Sequence, residues 1–296
     1  MSQVPARRAL EEIDKAARRL AASGIESARL DAELLMAAAA GVTRAAAVTG
    51  SIELSFATLK KFDAMIARRE HREPVAYLLG RKEFYSLDFE VSPAVLIPRP
   101  ESEIVVAAAL EAIAGRPDAR VLDIGTGSGA IAIAIAVNAA RVRVTAVDIS
   151  AGAIAVASRN ARHHRVEDRV TFRRADCFEI LDGGAALGSF EVIVSNPPYL
   201  DDAEIAALEP EVRAFEPRVA ISAGAGGLDI LRRIAAGAPP HLASDGELIV
   251  EVGAGQATKA AVAKLFEEAG LRVVSVINDF AGHPRVVRAE KEEMAA

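Results

Sequence analysis

From Arg120 to the end of the chain, short apolar runs alternate with helical segments, and this alternation restricts the possible folds more than any other feature. It is typical of a mostly parallel β-sheet that helices cover on both faces. The predicted strands are Arg120–Ile124, Arg143–Asp148, Val170–Ala175, Glu191–Ser195, Glu247–Val252, Leu271–Ile277 and Arg285–Ala289. The predicted helices are Glu101–Ala114, Gly129–Ala140, Ala151–His163, Leu228–Ala236 and Gln256–Ala269. Because the segment Asn278–Pro284 between the last two strands is short, they can pair only antiparallel. We therefore predict an α/β fold with a seven-stranded, mostly parallel sheet.

The N-terminal part of the chain has a different pattern, in which only amphipathic helices are predicted. These helices are Ala6–Ala22, Ser27–Ala40 and Ser55–Glu70. Glu73 and Pro74 interrupt the pattern, and Tyr77–Pro98 predicts a short hairpin. We expect a small all-α bundle over residues 1–72, a β-hairpin linker over 73–100 and the α/β domain over 101–296.

Composition and charge exclude several classes of protein. A single cysteine, Cys177, excludes an internal disulfide and a cysteine zinc cluster, and we predict no metal site. The longest uncharged apolar run, Ala130–Val137, is far shorter than a membrane-spanning helix, and no signal peptide opens the chain. The net charge of −6 argues against a general nucleic-acid binder. We expect a cytoplasmic, monomeric protein that contacts neither membrane nor nucleic acid.

A glycine-rich segment follows the first strand of the α/β part and opens the next helix. It reads Asp123-Ile-Gly-Thr-Gly-Ser-Gly129. The glycines at 125, 127 and 129 allow a tight turn and a close ligand, and Thr126 and Ser128 lie between them. Asp148 ends the second strand, where a carboxylate can accept both hydroxyls of a ribose, and Asp176-Cys177 ends the third, near an adenine edge. Because the carboxyl ends of parallel strands share one edge of the sheet, these groups predict a nucleoside cofactor there.

Two cofactors compete for this segment. The dinucleotide pattern is G-x-G-x-x-G, whereas this chain has G-x-G-x-G with Asp123 two residues before the first glycine. An acidic side chain would repel a pyrophosphate, but it could hold the ammonium of a methionine moiety, directly or through water. This chemistry favours S-adenosyl-L-methionine over a dinucleotide, with S-adenosyl-L-homocysteine as the product. The alternative without a ligand is a tight turn whose glycines are needed only for packing.

A second motif, Ser195-Asn-Pro-Pro-Tyr199, follows the fourth strand and therefore lies at the same edge. Pro197 and Pro198 lack backbone donors, which leaves the Asn196 amide oxygen and a backbone carbonyl as acceptors. Two fixed acceptors and the flat ring of Tyr199 suit a planar –NH2 group, whose nitrogen would face the methyl donor. Asn196, Pro197 and Tyr199 are the candidate catalytic residues, and 196–199 the candidate substrate-binding segment; in isolation, the motif could also be a simple turn.

These two motifs together resemble those of the class I amino-methyltransferases. Three further segments resemble one branch, the peptide chain release factor glutamine methyltransferases of the HemK/PrmC type: Arg72–Gly80, Val91–Glu101 and Arg213–Arg218. The resemblance covers nearly the whole chain. It implies a Rossmann-like class I methyltransferase fold and N5-methylation of the glutamine in the Gly-Gly-Gln loop of class 1 release factors.

The resemblance also implies roles for individual positions. Cofactor contacts are implied at 125–129, Asp148 and the residue after Asp176, which is Cys177, and Asn196 adjoins the cofactor as well. Substrate recognition is implied at 196–199, with Arg99 and Glu101 along the approach to the site. The helical N-terminal domain is implied to hold the release factor.

Three alternatives remain at this level. A ribosomal-protein glutamine methyltransferase would share the whole site and differ only in its docking surface. A methyltransferase for adenine N6 or guanine N2 would use the same motif, but it needs stacking aromatic residues, which are only 4% of this chain. A non-catalytic cofactor-binding protein would not need Asn196.

Overall fold

The computed structural model describes residues 7–49, 52, 54–179, 189–253 and 260–292. The chain divides into two compact units, of which one comprises Met1–Arg81 with Glu209–Phe215 and the other Lys82–Leu208 with Glu216–Ala296. Within the described ranges, every helix falls short of the length and apolar character that a membrane crossing demands.

The helices and strands alternate as the sequence predicts, with a few short additions. The helices are α1 (Arg7–Ala22), α2 (Ala28–Ala40), α3 (Arg44–Val48), α4 (Phe56–Glu70), α5 (Val75–Leu79), α6 (Glu103–Ala112), α7 (Ala130–Asn138), α8 (Ala151–His163), α9 (Asp202–Ala207), α10 (Pro210–Phe215), α11 (Asp229–Gly237) and α12 (Ala260–Glu268). The strands are β1 (Arg81–Phe84), β2 (Leu87–Glu90), β3 (Arg120–Ile124), β4 (Arg143–Asp148), β5 (Val170–Arg174), β6 (Phe190–Ser195), β7 (Leu242–Glu251), β8 (Leu271–Asn278) and β9 (Pro284–Lys291). Short 3₁₀ turns lie at Pro100–Ser102, Arg218–Ala220 and Ala225–Gly227.

The first unit is a helical bundle with its own apolar core. Its largest fully buried side chains include Ile13, Leu20, Leu35, Met36 and Ile66. These residues recur at helical spacing, so each helix turns one apolar face inward. Ser55, which the sequence predicts as the first residue of this helix, instead caps α4 and accepts a hydrogen bond from Thr58 N.

Ion pairs attach the segment Glu209–Phe215, which is distant in sequence, to this bundle. Arg69 Nε donates to Asp31 Oδ2 at 2.8 Å, and Arg69 Nη1 donates to Glu211 Oε1 at 2.7 Å. Arg72 Nη2 donates to the other oxygen of Glu211 at 2.7 Å. The helix α10 was not predicted, because its ion pairs join residues more than a hundred positions apart in sequence.

The predicted hairpin is present, but it is shorter than Tyr77–Pro98. Tyr77 lies in helix α5, which ends at Gly80 in the left-handed conformation (φ 70°). Strands β1 and β2 then pair across a two-residue turn in which Tyr85 and Ser86 both have positive φ. This is the turn geometry that suits the right-handed twist of paired strands.

The second unit confirms the predicted seven-stranded sheet, whose strand order is β5-β4-β3-β6-β7-β9-β8. Strands β3 to β7 run parallel, whereas β9 pairs antiparallel with both β7 and β8. The central strands are buried on both faces, which explains their continuous apolar sequence. The predicted bounds of β3, β4 and α8 agree with the structure; residues 256–259 of the last predicted helix lie outside the described residues.

This strand order brings together the loops that carry the predicted site residues. Strand β3 pairs with β4 on one side and β6 on the other, with Ile124 level with both Val147 and Ser195. The Ser195 hydroxyl donates to the Ile124 carbonyl at 2.7 Å and ties the two strand ends together. Hence the segments after β3, β4 and β6 start side by side at the carboxyl edge of the sheet.

Candidate functional site

The glycine segment forms a tight turn between β3 and α7. Gly125 N and Thr126 N both donate to the Val147 carbonyl, at 2.9 and 3.0 Å, so the turn folds back over the end of β4. Gly129, with φ 81°, has a second reason to be glycine, since a Cβ there would lie 3.1 Å from the Cβ of Ala157 on α8. Gly127 (φ 56°) instead has open space where a Cβ would be, next to the cavity it lines.

Asp123 lies beneath this turn. It is 1% exposed, and its Oδ2 accepts from the Thr126 hydroxyl at 2.6 Å. Its Oδ1 has no hydrogen-bond partner within the described part of the chain. Burial raises the pKa of this carboxyl to about 7, with a smaller contribution from the nearby charge of Asp148. A buried acceptor without a partner is costly, and a cationic group or a bridging water would reduce that cost.

Asp148 closes the neighbouring strand and orders the turn. Its Oδ2 accepts from Gly127 N at 2.9 Å, and its Oδ1 accepts from Ser150 N at 2.8 Å. Burial raises the pKa of this carboxyl as well. Each carboxylate oxygen has two lone pairs, so both can accept a further hydrogen bond from the cavity side.

The end of β5 contributes Asp176 and Cys177 to the same cavity. Asp176 Oδ2 lies 3.0 Å from Arg233 Nη2, and Arg233 of α11 is a cavity residue that sequence reasoning missed. Burial raises the pKa of the Cys177 thiol to about 11, so the side chain is a neutral thiol at physiological pH. Cys177 is therefore a small, neutral side chain of the cavity wall.

The segment after β6 reaches the cavity from the other side. Asn196, Pro197 and Pro198 line it, and Pro197 is buried. Asn196 Nδ2 donates to the hydroxyl of Ser102 at 2.9 Å, which leaves the amide oxygen at the opposite end of the side chain. Tyr199 is half-buried and is absent from the residues that line the cavity; burial raises the pKa of its phenol, and Glu251 adds to the shift.

Arg99 and Glu101 also lie outside the cavity lining. Arg99 Nη2 donates to Glu216 Oε1 at 2.5 Å, and the charges of Arg99 and Glu101 both influence the pKa of Tyr199. Glu216, to which the sequence analysis assigns no role, is the buried partner of Arg99 and adjoins the cavity residue Pro217 in sequence.

One cavity thus brings together most of the predicted site residues. They are Gly125, Gly127, Asp148, Asp176, Cys177, Asn196, Pro197 and Pro198. Asp123, Thr126, Ser128 and Gly129 support the turn from below, and the first three of these are buried polar residues. The apolar part of the wall comes from positions without a strong sequence signal, among them Leu96, Ile149, Val219 and Ile230.

The residues present fit S-adenosyl-L-methionine. Open space above Gly125 and Gly127 admits a ligand against the backbone, and the unpartnered Oδ1 of Asp123 suits a cation. The free lone pairs of Asp148 suit ribose hydroxyls, and an apolar wall beside Asp176 suits a purine ring.

Two family models match separate stretches of the chain. Residues 11–80 match the model described as the PrmC N-terminal domain, and residues 103–209 match the methyltransferase small domain.

Curated relatives match over almost the full length. The chain is 43% identical to a release factor glutamine methyltransferase of Geobacter sulfurreducens, over 90% of this chain and 91% of that protein. It is 44% identical to the protein of the same name from Pseudomonas aeruginosa, over 88% and 91%.

A solved structure agrees in fold alone. The hMettl16 catalytic domain in complex with MAT2A 3'UTR hairpin 6 superposes with a TM-score of 0.56 at 15% identity, covering 78% of this chain and 84% of that chain.

Proposed function

Because the chain belongs to the family of release factor glutamine methyltransferases, we propose that it methylates the side-chain amide nitrogen (N5) of the glutamine in the Gly-Gly-Gln motif of class 1 release factors. The methyl donor is S-adenosyl-L-methionine. The observation that carries this function is one cavity whose walls hold both the glycine turn with Asp148 and the amide motif at Asn196.

We propose that the cofactor is held by the residues around the glycine turn. Asp148 accepts the ribose hydroxyls, Asp123 neutralises the ammonium from below the turn, and Asp176 and Cys177 border the adenine. When bound, the cofactor would supply a sulfonium methyl to the amide nitrogen, and its sulfur would keep the electron pair of the broken sulfur–carbon bond as S-adenosyl-L-homocysteine. The side chains keep the donor in one orientation, which is where much of the rate enhancement arises.

The glutamine amide is positioned by acceptors and by an aromatic ring. Its two N–H groups donate to Asn196 Oδ1 and to a backbone carbonyl of the Asn196–Pro198 segment. Tyr199 covers one face of the amide, and its raised pKa keeps its hydroxyl protonated, so it does not act as a base. No strong base is required, because the amide proton leaves for water after methyl transfer, when the nitrogen is far more acidic.

We propose that the helical part, residues 1–72, holds the body of the release factor, and that residues 101–296 carry the chemistry. The match of residues 11–80 to the model described as the PrmC N-terminal domain supports a separate role for the helical part. We further propose that the enzyme is a cytoplasmic monomer without direct nucleic-acid contact. The net charge of −6 supports the last point, and light scattering on the purified protein checks the monomer. The names of the curated relatives favour release factors over ribosomal proteins and nucleic acids as the substrate.

The first experiment is transfer of labelled methyl from S-adenosyl-L-methionine to a purified release factor. A copy whose Gly-Gly-Gln glutamine is alanine serves as the control. We expect label on the first protein and none on the second. Equal labelling of both would exclude the proposed target, and transfer to neither, with cofactor bound, would exclude the proposed substrate.

The role of the amide motif is tested by Asn196→Ala. We expect turnover to fall at least ~100-fold while cofactor affinity stays within a few-fold, because the change removes positioning of the amide rather than binding. Asn138→Ala, which removes a side-chain amide at the end of α7, is the matched control and should behave as wild type. Wild-type turnover in Asn196→Ala would eliminate the acceptor mechanism.

The docking role is tested with a chain that lacks residues 1–72. Glu209 and Glu211 should be changed to Gln in this chain, since the deletion removes their arginine partners. We expect cofactor binding and methylation of a short Gly-Gly-Gln peptide to persist, and the apparent KM for the intact release factor to rise. An unchanged KM for the intact factor would refute docking.

A further inference from the structure

Three side chains form a buried hydrogen-bonded chain that ends at Asn196. Asn196 Nδ2 donates to Ser102 Oγ at 2.9 Å, and Ser102 Oγ donates to Glu251 Oε2 at 2.6 Å. Ser102 is 4% exposed and Glu251 is 1% exposed, so water does not compete for these bonds. The glutamine chemistry described above makes no use of Ser102 or Glu251.

While Glu251 is ionised, the hydrogen bonds among these three side chains can run in only one direction, from donor Asn196 through Ser102 to acceptor Glu251. A carboxylate can only accept, so it takes the single hydroxyl hydrogen of Ser102. The Ser102 oxygen can then only accept from Asn196, which requires the –NH2 end of the Asn196 amide to face Ser102. The two ends of an asparagine amide are otherwise nearly equivalent in shape, and only the hydrogen-bond network decides between them.

This direction matters for the substrate. An amide held in this way turns Oδ1 away from Ser102 and presents an acceptor, which a glutamine –NH2 group needs. A flipped Asn196 would present its own –NH2 group to the –NH2 group of the substrate, so that two donors would meet and neither could be satisfied. We propose that Ser102 and Glu251 are positioning residues that hold the Asn196 amide oxygen toward the substrate amide; this inference rests on the proposed function.

Backbone contacts hold the three residues in place. Ser102 ends the 3₁₀ turn Pro100–Ser102, with its N–H donating to the Arg99 carbonyl at 3.1 Å. Glu251 ends β7 and is paired with Val286 of β9. Asn196 follows Ser195, which is level with Val250 in the neighbouring strand. Hydrogen-bonded side chains that are anchored on three elements lose little conformational entropy on pairing, because few side-chain rotamers remain to be restricted.

The protonation of Glu251 controls the direction of the chain. Burial raises the pKa of this carboxyl to about 7. The hydrogen bond from Ser102 and the charges of Arg285 and Arg99 oppose the shift, Glu101 increases it, and Tyr199 is a further titratable group near it. Below that pH the protonated carboxyl can donate to Ser102, and the hydroxyl hydrogen of Ser102 is then free to turn toward Asn196. The acceptor is therefore fixed above about pH 7 and released below it.

The test compares Ser102→Ala, Ser102→Thr and Glu251→Gln in the full-length enzyme with a release factor substrate. At saturating cofactor near pH 8, we expect kcat to fall about tenfold in Ser102→Ala and Glu251→Gln, with the KM for the release factor and the cofactor Kd within about twofold. Ser102→Thr restores the hydroxyl and should restore kcat to within about twofold. Matched controls are Ser275→Ala on β8 and Glu247→Gln, which lies on the same strand as Glu251 and pairs with Arg288.

The pH profile distinguishes positioning from mere support of the fold. In the wild type, kcat at saturating cofactor should rise with pH around a midpoint near 7. This rise of kcat with pH should be absent in Glu251→Gln. Saturating cofactor removes the contribution of Asp123, whose pKa lies in the same range. A wild-type kcat in Ser102→Ala, or a wild-type rise of kcat with pH in Glu251→Gln, would overturn the proposal.

A spectroscopic readout keeps this inference separate from the proposed function. In ¹⁵N-labelled protein without substrate, the side-chain amide signals of Asn196 should titrate near pH 7 in the wild type and not in Glu251→Gln. If the wild type shows this titration but transfers no methyl group, the proposed function is refuted, whereas the hydrogen bonding of Asn196, Ser102 and Glu251 is supported. Amide signals of Asn196 that change neither with pH nor in the variants would overturn the proposed hydrogen bonding of Asn196, Ser102 and Glu251.

Discussion

Arg99 forms an ion pair with the carboxylate of Glu216, which is almost completely buried. Arg99 Nη2 donates to Glu216 Oε1 at 2.5 Å, and the second oxygen of Glu216 accepts from Ile97 N at 3.2 Å. The Glu216 side chain is only 1% exposed. These bonds join the segment that carries Leu96 to the segment that carries Pro217, and both of those residues line the candidate site.

We predict that Glu216→Ala destabilises the protein. The variant leaves the Ile97 N–H and the Arg99 guanidinium without their acceptor, and loss of one member of a buried pair should lower the free energy of unfolding by about 2–4 kcal/mol. Urea denaturation measures the change. Glu90→Ala, which removes an exposed partner of Arg159, is the control and should cost less than about 1 kcal/mol. Equal effects in the two variants would contradict the structural role of Glu216.

Asp148→Asn should weaken cofactor binding by roughly 1–3 kcal/mol, the range for a hydrogen bond to a charged group. The asparagine keeps the size of the side chain and one acceptor oxygen, but it loses the charge and one acceptor for the ribose. Isothermal titration calorimetry with S-adenosyl-L-methionine measures the loss. Asp118→Asn, at an exposed ion pair with Arg141, provides the comparison. Unchanged affinity in Asp148→Asn would rule out the ribose assignment.

Cofactor affinity should depend on pH through Asp123. Burial raises the pKa of this carboxyl to about 7, so in the unliganded protein it is neutral below that pH and charged above it. The cofactor ammonium favours the charged form, so affinity should fall as pH decreases from about 8 to about 6, by up to about tenfold per pH unit. Calorimetry across this range checks the slope, and Asp123→Asn should abolish it. A slope that survives in Asp123→Asn would have to arise from another group.

Arg69→Met should destabilise the helical unit by about 3–5 kcal/mol, because it leaves the buried Asp31 carboxylate without its partner and removes one partner of Glu211. Arg68→Met is the neighbouring control, since Arg68 is mostly exposed and should contribute about 1 kcal/mol or less. Circular dichroism during urea denaturation measures the change in the free energy of unfolding. The prediction fails if both variants unfold at the same denaturant concentration.

Local pattern was sufficient to predict most of the fold. The strands β3 and β4 and the helix α8 could be delimited because their apolar and polar residues have the period of the element they form. The helix α5 was missed, since five residues are too few for a period and the adjoining residues are typical of strands. The helix α10 was missed because the arginines that hold it lie in the first part of the chain.

The sequence alone determined which residues form the candidate cofactor turn and the amide motif, because each is a contiguous segment and their strands must end at one edge of a parallel sheet. Only the tertiary structure decided what surrounds them. Ser102 and Glu251 are 149 positions apart, and Arg99 and Glu216 are 117 apart. Such pairs have no spacing signal, since they meet only where the sheet and its connections bring distant segments together, and burial then makes each bond specific.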